Sequence, residues 1–275
     1  MDNGNLERNF QVLNMKRLPG INSAPGQFNQ PPEGRLGNVQ VVVITIASLA
    51  AISLCVFLMS FLSVPSSLSS EAKVDARKSQ SQDKLKNLVL AMQSYAAYHG
   101  SLPPAVVIGP DGKTPHSWRV AIMPYIDSAA AHRKYKFDEP WDSPSNLKIL
   151  EEMPNALWSP FDDPDSTNSG YYVISGPKAF FDGERKPNMG EIKDGASDTL
   201  LIVEAKRDVP WTKPEDIPFD PEGSAPDLGG FLEGEIIMVM ADGTALTVLA
   251  EKVKPHLKNM IMPNDGNSVP DFEKD

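Results

Sequence analysis

Cysteine is nearly absent from this chain: Cys55 is the one thiol in 275 residues, and it lies inside an apolar run. The part beyond that run therefore has no disulfide and no thiolate metal site, and its stability must come from packing. Histidine is scarce as well. His99, His116, His132 and His256 show no spacing that would pair them on a metal or set one beside a nucleophile. No Gly-x-Ser-x-Gly elbow, phosphate loop or dinucleotide fingerprint occurs, so no enzyme is expected. Basic stripes are missing too. The net charge is -10, and without Lys and Arg clusters to meet phosphates the chain is not expected to bind nucleic acid.

What the chain does have is one uninterrupted apolar run, Val41 to Leu62, without a charged residue. As a helix it measures roughly 33 Å, enough to cross a hydrocarbon core of about 30 Å. It predicts a single transmembrane helix over 39–64. A buried core helix and a cleaved signal sequence are the competing readings. No later segment is apolar enough to enclose a helix that is hydrophobic on every face. The run is also too long, and too far from residue 1, for an ordinary signal. Arg35, Lys16, Arg17 and Arg8 precede it and favour a cytoplasmic tail, while Lys73, Arg77, Lys78, Lys84 and Lys86 on the other flank pull the opposite way. The preferred arrangement is a single-pass protein of the inner, cytoplasmic membrane with its C-terminal domain extracytoplasmic. The tail, 1–38, is rich in Asn, Gln, Gly and Pro and reads as disordered.

Residues 65–80 read as a linker and the start of a second helix. Pro65 and the serines after it are expected to stop the membrane helix. From Glu71 to about His99 the apolar residues Leu85, Leu88, Val89, Met92, Tyr95 and Ala96 fall on one face of a 3.6-residue period, and Gly100, Pro103 and Pro104 end it. Ser117 is a candidate N-cap for a short helix reaching Asp127, with a kink or stop at Pro124. Short strands are expected at Tyr171 to Ser175 and Thr199 to Glu204. Two further runs, Ile236 to Ala241 and Thr244 to Leu249, flank Asp242-Gly243 and predict a hairpin with a type I′ turn. A helix is expected around Val253 to Met262, with Pro255 in its first turn. Twenty-five prolines imply much ordered but irregular connection.

Candidate chemistry is sparse. Asp162, Asp163, Asp165 and Asn168 bring carboxylates and an amide into one turn, the oxygen ligands that calcium prefers, yet Pro164 interrupts them and no terminal glutamate closes the loop. A solvated acidic turn stands beside the calcium reading. Asp194-Gly195 and Asp242-Gly243 are turn chemistry. Trp141 and Trp211, each flanked by proline, either cap a core edge or present an interaction surface, where Trp is enriched. Beyond calcium no cofactor is expected.

Six segments carry a resemblance. They are Leu85-Lys-Asn-Leu88 with Tyr98-His-Gly-Ser-Leu-Pro-Pro104, Ser117-Trp-Arg-Val-Ala-Ile-Met-Pro-Tyr125, Phe137-Asp-Glu-Pro-Trp-Asp-Ser-Pro-Ser-Asn146, Ile192-Lys-Asp-Gly-Ala-Ser-Asp-Thr199, Val209-Pro-Trp-Thr-Lys-Pro-Glu-Asp216 and Met240-Ala-Asp-Gly-Thr244. From about Asp83 to Val269 the chain resembles a large planctomycete family of pilin-like proteins of unknown function, similar to type II secretion pseudopilins of the general secretion pathway protein G kind. The resemblance implies an α+β fold, an N-terminal transmembrane helix followed by a pilin-like domain over 81–270 in which a helix packs on an antiparallel sheet, with a polar end at 271–275. It implies no established reaction.

Three departures bear on function. No prepilin cleavage site is visible around Gly37-Asn-Val-Gln-Val-Val42, which favours a permanent tether over a polymerising subunit. Leu232 stands where the family's C-terminal signature of His, nine residues and Asp-Gly would have its histidine. Ser81 and Ser159 occupy positions where many members of the resembled family carry cysteines. The resemblance implies that the two were replaced together, and hence that the N-terminal end of the second helix lies beside Trp158-Ser159-Pro160. The expected function is a membrane-anchored structural or protein-interaction component, with envelope or secretion proteins as partners. The alternative is a membrane-tethered module that binds a glycan or a peptide.

Overall fold

A computed structural model describes residues 66–272, together with Ser53 alone. Apart from Ser53, the apolar run Val41 to Leu62 lies outside the described residues, as do the tail 1–38, Pro65 and the end of the chain from residue 273. Among the described residues no helix is long and apolar enough to cross a membrane. The fold is α+β. It opens with one 34-residue helix, α1 (Ser66–His99), followed by β1 (Val106–Ile108), β2 (Pro115–Ser117), α2 (Trp118–Ala121), α3 (Ala129–Lys134) and α4 (Leu147–Leu150). After these come β3 (Tyr171–Tyr172), β4 (Ile174–Ser175), β5 (Leu200–Glu204), β6 (Ile217–Pro218), β7 (Glu235–Met240), β8 (Ala245–Leu249), α5 (Ala250–Val253) and α6 (Leu257–Ile261).

The central sheet is antiparallel, in the order β3-β5-β7-β8. Its two faces follow from the period-2 alternation of a strand. Along β7, Ile237 and Val239 turn to one side and Ile236, Met238 and Met240 to the other. The first side receives α1 through Leu85, Leu88, Val89 and Met92, all buried, and α1 lies against β5, β7 and β8. The second side is covered by α5 and α6 through Val253, Leu257, Met260 and Ile261. The inner strands β5 and β7 are thus buried on both faces, which is why they read as continuous apolar runs, while β8 at the edge is only half-buried.

One irregularity sets the site. Leu200 faces Met240 and Ile202 faces Val239, so β5 carries one extra residue, Leu201, against its partner. Both Leu201 and Ile202 consequently belong to the helix-side core, and the alternation restarts in opposite phase. Glu204, paired with Tyr171 across β3, is thereby turned toward α1.

Four expectations are corrected. The second helix starts earlier than the expected Glu71: α1 already includes Ser66. The Tyr171 to Ser175 strand is split, because the Val173 amide donates to the Asp216 carboxylate and the chain leaves β5 to run parallel to β6. The C-terminal helix is also split, into α5 and α6, since Pro255 has no N–H to continue the ladder. The β7–β8 hairpin exists, but its turn is not type I′. The Gly243 amide bonds the Met240 carbonyl, the Met240 amide bonds the Thr244 carbonyl, and Gly243 alone has positive φ, at 93°. This is a type I turn closed by a glycine bulge, the commonest three-residue hairpin connection. Asp242 Oδ1 caps it by accepting from the Thr244 amide.

Ser117 caps α2 as expected, its side chain accepting from the Arg119 amide, and Pro124 sits in the 3-10 turn that ends this segment. The positioning is reinforced by a buried ion pair. Arg119 Nη2 donates to Asp216 Oδ1 at 2.6 Å, and the guanidinium lies 4.8 Å from the ring centres of both Trp118 and Tyr172. Asp216 Oδ1 also accepts from Trp118 Nε1, so a single carboxylate joins α2, β3 and the start of β6.

Candidate functional site

Loop 151–170 crosses the first buried turn of α1, and the chemistry concentrates there. Pro154 opens a 3-10 turn over Asn155–Leu157, and Lys84 Nζ donates to the carbonyls of Asn155 at 2.7 Å and Trp158 at 2.8 Å. The same ammonium lies 4.7 Å from the Trp158 ring centre. The edge of that indole is also held: Nε1 donates to the Asp163 carbonyl at 2.9 Å. Beneath the loop, the hydroxyls of Ser81 and Ser159 both donate to Glu204 Oε1 at 2.7 Å, and the Tyr171 hydroxyl is 3.0 Å from Ser81 Oγ. The neighbourhood of Ser81 and the Trp158-Ser159-Pro160 loop is the one that the resemblance implied. Gly170 is required by this closeness, since a Cβ there would stand 2.6 Å from Ser159 Cβ.

Burial dominates the ionisation of these groups. It pushes Glu204 up to about 6 against the two hydroxyl donors and the Lys84 charge. Burial also lowers Lys84 to about 8, although Glu204 pulls the other way. Tyr171 is raised well above its ordinary value by burial and by the Glu204 charge, so it remains a phenol. Between about pH 6 and 8 the cluster therefore holds one carboxylate and one ammonium.

Ser81 and Lys84 have the Ser-x-x-Lys spacing of certain nucleophilic hydrolases. The geometry here is different in kind. Ser81 has no exposed surface, its hydroxyl is directed at Glu204, and Lys84 is engaged by two backbone carbonyls. The arrangement ties α1, the loop and the sheet together. Sequence reasoning passed over Lys84, Trp158 and Glu204; the helical spacing of Ser81 and Lys84 was the available signal.

Above the network a groove of about 310 Å³ opens between Met153, Asn155, Trp158, Pro164 and Ser166. The acidic turn forms its rim. Asp162 Oδ1 accepts from the Asp163 amide and Asp163 Oδ1 from the Asp165 amide, while the Asn168 amide donates to Ser166 Oγ. These side chains cap their own turn, and among the described residues no three His, Cys, Asp or Glu side chains gather where they could hold a metal ion.

The other candidates are dispersed. Trp211 has no exposed surface and donates through Nε1 to the Leu150 carbonyl, which corrects the reading of it as an interaction residue; it is core. Trp141 is half-buried in the turn before α4. Asp194 binds the C-terminal segment, accepting from the amides of Asp265 and Gly266, and Gly195 has φ 112°. His116 is buried, donating through Nε2 to the Phe137 carbonyl so that Nδ1 accepts from the Tyr135 hydroxyl. Leu232 packs at the margin of the helix-side core.

No curated protein and no solved structure matches the chain. Residues 70–179, from within α1 to just past β4, match the model of a family described as a protein of unknown function (DUF1559), and this supports kinship with that family over the segment that carries Ser81, Lys84, Trp158 and Ser159.

Proposed function

We propose that the protein is a single-pass, membrane-anchored component of an envelope or secretion assembly, displaying a pilin-like domain outside the cytoplasmic membrane and catalysing no reaction. The observation that carries this reading is α1. It buries Leu85, Leu88, Val89 and Met92 on the sheet, whereas over 70–80 its side chains are exposed apart from the half-buried Lys78. A polar helical arm of this kind suits a stalk between the apolar run and a folded head. The lack of a prepilin site favours a fixed tether. The reading is tested by crosslinking in intact membranes with mass-spectrometric identification of partners. Recurrent envelope proteins are expected, lost when the domain is released from the membrane; random neighbours alone would overturn the assembly role.

A second reading, a membrane-tethered ligand-binding module, is favoured by one observation. The groove beside Trp158 presents an aromatic side chain whose edge and one face are both fixed.

A further inference from the structure

We infer that the Trp158 groove binds a neutral saccharide ring, with the indole as its stacking platform, an inference that rests on the ligand-binding reading. Most surface tryptophans must lose side-chain freedom on binding. Trp158 has already lost it, because Asp163 holds its Nε1 and the buried Lys84 ammonium takes one face, itself anchored by two carbonyls. Such a platform adds little ordering cost when a ligand arrives. The acidic turn thereby gains a purpose, since its Asp163 carbonyl is the clamp.

The lining decides the class of ligand. Met153, Asn155, Trp158, Pro164 and Ser166 are all uncharged, in a chain of net charge -10. Ionic recognition has no partner among them. What remains is an apolar surface for the C–H face of a sugar, with an amide and a hydroxyl at hand for its hydroxyl groups. A volume of about 310 Å³ is at the lower end of the range for small-ligand sites, roughly 300–1,000 Å³, and suits one or two rings. A polyproline peptide uses a groove lined by aromatic ridges, and among the described residues only one aromatic side chain lines this groove.

The test uses the whole 275-residue chain in a zwitterionic detergent, because glycosidic detergents would compete. Calorimetric titration is run with cellotriose, with the trimer of N-acetylglucosamine and with tetraproline. Saturable binding of at least one trisaccharide is expected, weakened about tenfold or more by Trp158→Ala and unchanged by Trp141→Ala. Lys84→Met leaves the indole but frees it, and should weaken binding severalfold. Should Trp158→Ala fail to fold, Asn155→Ala and Ser166→Ala, both outside the core, carry the test with severalfold losses. Trisaccharide binding indifferent to all of these variants overturns the inference. Binding of tetraproline in place of sugars overturns it while sparing the ligand-binding reading, and binding of neither probe sinks both.

Discussion

At one atom, Glu204 Oε1, hydroxyls converge from a helix and from a loop far apart in sequence. A carboxyl that ionises near pH 6 when folded and near 4.5 otherwise holds more protons in the native state between those values. Stability must therefore fall as pH rises through that window, by about 2 kcal/mol. Glu204→Gln should abolish this slope, and denaturant melts between pH 4.5 and 7 measure it; a slope persisting in the variant would place its origin elsewhere. Lys84 acts in another window. Its native pKa of about 8 lies below the ordinary 10.5, so the unfolded chain holds the extra proton there and stability recovers as pH rises. Little of this was legible in the sequence. Glu204 ends the apolar stretch Leu200-Leu-Ile-Val-Glu204 and reads as a strand-end charge, because nothing local announces the extra residue that turns it inward. Trp211 misled for a related reason: proline on either side suits a surface loop as well as a core plug.

Among the elements, those with strong periodicity were legible and those broken by distant partners were not. The buried face of α1 was fixed by its own spacing, and the hairpin by the Asp242-Gly243 pair. Its turn type was not, because it depends on whether Asp242 and Gly243 both take positive φ or Gly243 alone does. The split between β3 and β4 required Asp216, more than forty residues away, to claim the Val173 amide. Asp216 is itself committed to Arg119, and removing one partner of so buried a pair typically costs about 3–5 kcal/mol. The contact between α1 and the Ser159 loop leads to a cross-linking prediction. Ser81→Cys with Ser159→Cys should oxidise to a disulfide, leaving Cys55 as the one titratable thiol. Such a link typically contributes about 2–4 kcal/mol, seen as a lower melting midpoint on reduction. Three free thiols after oxidation would show that the two Cβ atoms are not aligned for a bond.

For the whole molecule, the division of α1 into an exposed stretch and a docked stretch predicts a gradient of stability. Backbone amides over 70–80 have water on almost every side, whereas those over 85–92 open only if the helix leaves the sheet. Hydrogen exchange followed by mass spectrometry should show the first stretch exchanging at least about tenfold faster, a difference of about 1.4 kcal/mol in opening free energy. Equal protection would mean that the arm is packed against something further. The α+β class and the helix-on-sheet arrangement were legible at this scale because the long apolar period and the hairpin signal are both local. The partners of the buried polar groups were not, because they are set by packing. The extra residue in β5 has a consequence for how the protein can vary. Were Leu201 kept but the bulge lost, strict alternation would rotate Glu204 to the face covered by α5 and α6, away from Ser81 and Ser159, whereas deleting Leu201 would leave Ile202, Val203 and Glu204 on their present faces. The inherited property is therefore a match between length and bulge: a relative of the same length must keep the bulge to turn the glutamate toward α1, and one that is a residue shorter must pair without it.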